Sequence, residues 1–191
     1  MRWKQNAKDV ISMRALVVYE SMYGNTHVIA TNIAAGLRDT HEVTLVPVSR
    51  ATPDLIARAD LLVVGAPTHM HGLSTASSRQ AARKAAAEPD GGLPLDPDAG
   101  GLAMRDWLAG LTGGHTLAAA FDTRVAGPAV LTGQASRGIS KLLKRHGYRL
   151  LAPPESFVVT KLNTLVDGES SRARRWGSAL AAAAEVIVHA A

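Results

Sequence analysis

Five short segments that are apolar at almost every position are the feature that most restricts how this chain of 191 residues can fold. Four of them occupy residues 14–19, 42–48, 60–66 and 116–121, and the fifth ends as a strand at residues 156–160. Runs of this kind are typical of strands that are buried on both faces of a parallel sheet. The pattern therefore predicts a sheet that is covered by helices on both sides.

Helical patterns separate the apolar runs. Apolar residues recur every three to four positions over residues 26–38, 135–145 and 169–189, which predicts a helix in each segment. Two further helices are predicted at residues 74–88 and 102–111. Strands that alternate with helices in this way select an α/β fold with right-handed crossovers.

The length favours a single domain. We expect this domain to span residues 13–191, with residues 1–12 as an N-terminal extension. Its third crossover is predicted to be extended, over about residues 73–115, because a loop rich in Pro, Gly and Asp separates its two helices at residues 89–101. No stretch approaches the roughly 18 apolar residues of a membrane span, and residues 1–12 lack the apolar run of a signal peptide. We expect a soluble, cytoplasmic protein.

The composition excludes several kinds of chemistry. The chain has no cysteine, which removes disulfides, thiolate-bound metals and thiol nucleophiles. Its formal net charge of +5 favours acidic partners, or a nucleic-acid or membrane surface. The basic positions Arg137, Lys141, Lys144 and Arg145 have no aromatic residue between them, which weakens the case for nucleic-acid binding. We expect these positions to form a solvated face, with a surface for an acidic partner as the alternative.

The loop after the first predicted strand is the strongest candidate for a ligand site. In an open parallel sheet, ligands bind beyond the carboxyl ends of the strands. Residues 20–26 read ESMYGNT and lead directly into a helix. Hydroxyls, an amide, a glycine and a helix N-terminus together suit a phosphate without any Lys or Arg. A plain helix cap by Ser21 or Asn25 is the alternative interpretation.

Other nucleotide-binding loops are excluded by their motifs. The chain has no Gly-Lys-Ser/Thr sequence, so it is no Walker-type nucleotide triphosphatase. No G-x-G-x-x-G sequence follows the first strand, which argues against a dinucleotide site. The third strand ends in GAPT at residues 65–68, whereas a phosphoacceptor receiver domain requires an Asp there.

Two segments suggest a family. The sequence SMYGNT at residues 21–26 resembles the flavodoxin signature, in which a hydroxyl residue, any residue and a second hydroxyl residue precede Gly-Asn-Ser/Thr. The sequence GAPTHMHG at residues 65–72 resembles the flavodoxin segment that lies against the inner isoalloxazine ring. The similarity of layout runs from Arg14 to the last helix and is of the short-chain type. It implies a flavodoxin-like doubly wound sandwich with a five-stranded parallel sheet of order 2-1-3-4-5, and FMN as the ligand.

The resemblance also implies which residues bind FMN. The loop after the first strand would hold the phosphate, and the loops after the third and fourth strands would frame the ring. The predicted FMN-binding residues are Ser21, Met22, Tyr23, Gly24, Asn25, Thr26, Pro67, Thr68, His69, Met70, His71, Gly72, Asp122, Thr123, Arg124 and Gly127. We assign no catalytic residue and no metal ligand, because His69 and His71 have no carboxylate or third His nearby in the sequence.

The function implied by the resemblance is electron transfer, or flavin-dependent reduction of a quinone or a protein partner. Whether the protein is an enzyme stays open. Three departures from the family pattern keep an alternative: Tyr23 replaces the second hydroxyl residue, the ring-flanking loops contain no aromatic residue, and the chain is basic where electron-transfer flavodoxins are typically acidic. The alternative is a flavodoxin-fold protein that has lost FMN and acts as a binding or interaction module.

Overall fold

The computed structural model describes residues 13–69, 71–88, 93–114 and 116–189. The predicted N-terminal extension and the predicted FMN ligand Met70 lie outside the described residues. So do positions 89–92 of the predicted loop in the third crossover.

Strands and helices alternate along the described chain. In order they are β1 (Arg14–Tyr19), α1 (Asn25–Leu37), β2 (Glu42–Pro47), a short 3-10 helix (Val48–Arg50), α2 (Pro53–Arg58), β3 (Leu61–Pro67), α3 (Ala76–Ala86), α4 (Met104–Ala109), β4 (Leu117–Val125), α5 (Ala129–Thr132), α6 (Ala135–Arg145), β5 (Arg149–Leu150), β6 (Glu155–Val159) and α7 (Glu169–His189). The short helices α2 and α5 were not predicted.

All strand pairs within the sheet are parallel, and the strand order β2-β1-β3-β4-β5 confirms the predicted order. The fifth position differs from the prediction, because β5 and β6 both pair with β4 and occupy it in turn. The break between them contains Pro153 and Pro154. Proline has no N–H to donate to a neighbouring strand, so pairing stops there and resumes at Glu155.

The core has one layer on each face of the sheet. Helices α1 and α7 cover one face, where Val17, Val63 and Phe121 are fully buried. Helices α4 and α6 cover the other face. Trp107, on α4, is 7% exposed and belongs to the second layer, and Trp176, on α7, packs edge-on against Phe121 in the first. No described helix is both long and apolar enough to cross a membrane.

Strand β4 is longer than the apolar run that predicted it. The prediction ended at Phe121, but β4 continues through Asp122, Thr123 and Arg124 to Val125. All four extra residues pair with β6, and Asp122 and Thr123 also pair with β3 on the other side. Three of the predicted ring-flanking residues therefore belong to the strand rather than to a loop, and this fixes their backbone.

Candidate functional site

The loop between β1 and α1 is a turn that leaves the N-terminus of α1 without a side-chain cap from the described residues. Gly24 has φ +90°, a left-handed conformation that glycine adopts without strain, and its N–H donates to Ser21 Oγ over 3.1 Å. No side chain among the described residues caps the N-terminus of α1, and its first turn holds no acidic residue. The first N–H groups of a helix have no partner within the helix. They are therefore available to an anion at this loop.

The other loop residues serve different purposes. The Tyr23 hydroxyl donates to the Ala82 carbonyl oxygen over 3.0 Å, so it points to α3 and does not replace the missing hydroxyl of the signature. Met22 is 1% exposed and packs against Ala82. The Asn25 amide donates to the carbonyl oxygen of Asn163 over 2.9 Å and to its Oδ1 over 3.1 Å. The loop is thus held from both sides, by α3 and by the segment after β6.

Two predicted ring-flanking residues cap a helix. Thr68 follows β3, and its Oγ1 accepts a hydrogen bond from the Ala135 N–H over 2.9 Å. Asp122 accepts one from the Ser136 N–H over 2.8 Å. Both N–H groups open α6, so these side chains satisfy its N-terminus. Asp122 is fully buried, and burial raises the pKa of its carboxyl group.

The loops after β3 and β4 touch each other directly. The β3 loop is a tight turn in which the N–H groups of His69 and Gly72 each donate to the other residue's carbonyl oxygen, over 2.8 and 3.0 Å. The His71 backbone, with φ 78°, forms a bridge to Gly133, which follows α5. A Cβ atom on Gly133 would overlap the His71 backbone, so this contact requires glycine. It joins the predicted ring-flanking loop after β3 to the end of α5, which lies beyond the predicted ring-flanking residues 122–127.

A cavity of about 100 Å³ lies at the carboxyl ends of the strands. Its lining residues are Met22, Tyr23, Asn25, Thr26, Pro67, Thr68, His69, Thr123, Arg124, Val125, Val159 and Asn163. Nine of them belong to the predicted FMN-binding set. Of the predicted residues, Ser21, Gly24, His71, Gly72, Asp122 and Gly127 do not line it. The other three lining residues, Val125, Val159 and Asn163, are outside the predicted set, although Val125 ends β4, Val159 ends β6 and the strand-end rule applies to both.

The cavity contains polar atoms that have no partner. Thr26 Oγ1 and Thr123 Oγ1 share a hydrogen bond of 2.8 Å. In contrast, Nε2 of His69 and Nε of Arg124 are buried without a hydrogen-bond partner in the described part of the chain. Arg124 uses its Nη1 for the Gly127 carbonyl oxygen and the Thr132 hydroxyl, which holds the guanidinium in place. A polar ligand would satisfy the two remaining nitrogen atoms, which is how such buried groups are normally paired.

Burial lowers the pKa of His69, and the nearby Glu20 carboxylate only partly opposes this effect. The neutral imidazole therefore predominates in the folded protein at neutral pH. Nowhere in residues 13–69, 71–88, 93–114 and 116–189 do three or more potential metal ligands gather into a possible metal site.

We predict that the free energy of unfolding falls as the pH drops below the ordinary histidine pKa of about 6.5. A lowered pKa means that the unfolded chain takes up the proton first, so stability is complete above 6.5 and is lost on acidification. His41 contributes in the same direction, because burial also lowers its pKa. The free energy of unfolding in urea is expected to be higher at pH 7.5 than at pH 5.5. His69→Gln should make this difference smaller, and a variant carrying both His69→Gln and His41→Gln should make it smaller still. Unchanged pH dependence in both variants would contradict this assignment.

The fold and part of the sequence match known proteins. The family model described as flavodoxin matches residues 17–103. A flavodoxin from the domain Archaea has 19% identity and a TM-score of 0.62, with 91% of this chain and 99% of that chain covered. Oxidised flavodoxin 1 from Bacillus cereus has 16% identity and a TM-score of 0.60, with coverages of 87% and 96%.

A longer protein shares the same fold over part of its length. Rubredoxin oxygen:oxidoreductase from Desulfovibrio gigas has 17% identity and a TM-score of 0.58, with 91% of this chain but only 36% of that chain covered. No curated protein matches the sequence. At these identities the structural likeness establishes the doubly wound fold, and the assignment to a family depends on the family model together with that fold.

Proposed function

We propose that the chain, whose residues 17–103 match the flavodoxin family model, binds FMN at the carboxyl end of the sheet and acts as a redox protein toward a quinone or a protein partner. The observation that carries the proposal is the turn at Gly24, which presents the uncapped N-terminus of α1 between the buried hydroxyl residues Ser21 and Thr26. This arrangement suits the phosphate of FMN. FMN supplies the redox chemistry when bound.

The ring end of the site supports the proposal through its donors. The unpartnered Nε–H of Arg124 and the neutral His69 imidazole line the same cavity as Thr26. A fixed guanidinium stabilises negative charge in its neighbourhood. We propose that Arg124 favours the reduced, more negative state of the cofactor, and that His69 supplies the second hydrogen-bonding nitrogen atom.

A second candidate function is favoured by the size of the cavity. Its volume of about 100 Å³ is below the 300–1,000 Å³ that is typical of sites for drug-sized ligands, and the bridge between His71 and Gly133 joins the loop after β3 to the end of α5. The cavity therefore has room for the phosphate end of FMN rather than for its ring. This observation supports the alternative of a binding module that no longer takes FMN.

Titration with FMN and with riboflavin distinguishes the two functions. Quenching of FMN fluorescence, together with a rise in Tm, is expected for the redox protein. Riboflavin lacks the phosphate, so we expect it to bind at least about tenfold more weakly. Neither quenching nor a rise in Tm at saturating FMN would favour the binding module. If FMN binds, assays with nicotinamide cofactors and quinones separate an oxidoreductase from an electron carrier.

We predict that Gly24→Ala weakens FMN binding by about tenfold and leaves riboflavin binding unchanged. An L-residue at φ +90° costs roughly 1–2 kcal/mol, so the turn that presents the N–H groups is disturbed. Gly168→Ala is the matched control, because Gly168 also precedes a helix, has φ +85° and has open space where a Cβ would lie. Both variants should lose similar stability, but only Gly24→Ala should lose FMN affinity. Equal losses of FMN affinity would contradict the role of Gly24.

A further inference from the structure

A second, larger cavity lies between α2, α4 and the segment that leads from α4 to β4. Its volume is about 370 Å³, and it shares no lining residue with the cavity at the N-terminus of α1. Ile56, Trp107 and Leu111 contribute apolar walls. This volume falls within the range of sites that bind small organic molecules.

Tyr148 contributes a hydroxyl to this cavity, which Thr112 and Thr116 also line. Tyr148 is 4% exposed, and its hydroxyl has no hydrogen-bond partner among the residues that the structure describes. The hydroxyl lies beside Gly114, which also lines the cavity: a Cβ atom added to Gly114 would be only 2.8 Å from Tyr148 Oη. Burial raises the pKa of Tyr148, so the group stays protonated and can donate. A ligand that accepts a hydrogen bond from this hydroxyl gives it the partner that it lacks among the described residues.

The remaining walls restrict the class of ligand. The indole N–H of Trp107 donates to the Ala51 carbonyl oxygen over 3.2 Å, so the Trp107 ring offers only its apolar surface to a ligand. Asp106 lies at the exposed rim, where its carboxylate disfavours an anion. The glycine backbone at Gly113 and Gly114 leaves room for a flat molecule.

We propose that this cavity binds a neutral aromatic compound whose carbonyl oxygen accepts a hydrogen bond from Tyr148. The site is separate from the proposed FMN site and does not depend on it. The apolar walls hold the ring through burial of apolar surface. The carbonyl supplies the acceptor that the Tyr148 hydroxyl lacks within the described chain.

Coumarin, a neutral aromatic lactone, is the probe that tests this proposal. Titration of the full chain, followed by 1H–15N NMR, should shift the amide signals of Gly110, Gly113 and Gly114 and the indole signal of Trp107. Two matched ligands are included: 2H-chromene, which lacks the carbonyl, and coumarin-3-carboxylate, which adds a negative charge. Both should bind more weakly than coumarin.

Variants of two tyrosines show at which of the two cavities coumarin binds. Tyr148→Phe should weaken coumarin binding about fivefold, the effect expected of one neutral hydrogen bond, and leave 2H-chromene binding unchanged. It should fold as stably as the unmodified protein, because the hydroxyl loses no partner among the described residues. Tyr23→Phe is the control, because Tyr23 lines the other cavity. The proposal is overturned if coumarin shifts only signals near Gly24, if Tyr148→Phe binds coumarin as well as the unmodified protein, or if coumarin-3-carboxylate binds as tightly as coumarin.

Discussion

Replacing Arg79 with methionine is expected to lower the free energy of unfolding by about 3–5 kcal/mol. The Arg79 guanidinium lies 3.7 Å from the Glu20 carboxylate, and both side chains are at least nine-tenths buried. The same guanidinium donates to the carbonyl oxygens of Ala99 and Gly101 over 2.8 and 2.6 Å. Methionine retains much of the volume but leaves a buried carboxylate without its cation and two carbonyl groups without their donor. Denaturation in urea measures the loss.

Arg83→Met is the matched control for Arg79→Met. Arg83 lies four residues later on α3 and is exposed, so its replacement should change the free energy of unfolding by less than about 0.5 kcal/mol. Glu20→Gln, added to Arg79→Met, should recover part of the loss, because it removes the unpaired charge. Equal, small losses in Arg79→Met and Arg83→Met would show that the ion pair is dispensable.

The pair of Glu20 and Arg79 also explains how the third crossover supports the site. Glu20 directly precedes Ser21, and its carboxylate accepts hydrogen bonds from the Ser74 hydroxyl over 2.6 Å and from the Met104 N–H over 2.7 Å. Groups from before α3, within α3 and at the start of α4 therefore meet at one buried carboxylate. Loss of Arg79 should disturb the loop that follows Glu20, so FMN affinity is expected to fall along with stability.

The strands could be predicted because each is marked by a local apolar run, and their order was implied by the resemblance to the flavodoxins. The length of β4 could not be predicted, because Asp122 is polar and its burial is supported by Ser136, fourteen residues later, whose N–H donates to one of the two carboxylate oxygens. The apolar run ends at Phe121, but the strand continues as far as β6 pairs with it. A property that depends on pairing between distant segments leaves no signal in local periodicity.

The same limit applies to the candidate site. The loop at residues 20–26 was found because a strand, a glycine and a helix follow one another in sequence. The hydrogen-bond partners of its side chains lie far away in the sequence. The Tyr23 hydroxyl donates to the carbonyl oxygen of Ala82, 59 positions later, and the Asn25 amide donates to that of Asn163, 138 positions later. The role of Glu20 was missed for this reason, since its cation lies within an Arg- and Ala-rich helix in which no single Arg stands out.

Replacing Gly177 with alanine is expected to destabilise the protein by about 3 kcal/mol, even though alanine is the better helix former. Gly177 lies on α7, and a Cβ there would overlap the carbonyl oxygen of Ile33 on α1. Gly36 faces α7 in the same way, where a Cβ would overlap the carbonyl oxygen of Arg174. The two helices are thus in backbone contact at both glycines. A backbone carbonyl cannot adopt another rotamer as a side chain can, so the substitution would force α1 away from α7.

Gly138→Ala separates this steric effect from helix propensity. Gly138 also lies within a helix, α6, but the nearest atom to an added Cβ is Leu73 Cδ1 at 3.8 Å, an ordinary contact. Its replacement should stabilise the protein by about 0.5–1 kcal/mol. Urea unfolding of the two variants should therefore shift in opposite directions, and a gain in both would rule out close contact between α1 and α7. Because α1 begins at the turn of Gly24, where we propose that the FMN phosphate binds, Gly177→Ala should also weaken FMN binding, whereas Gly138→Ala should not.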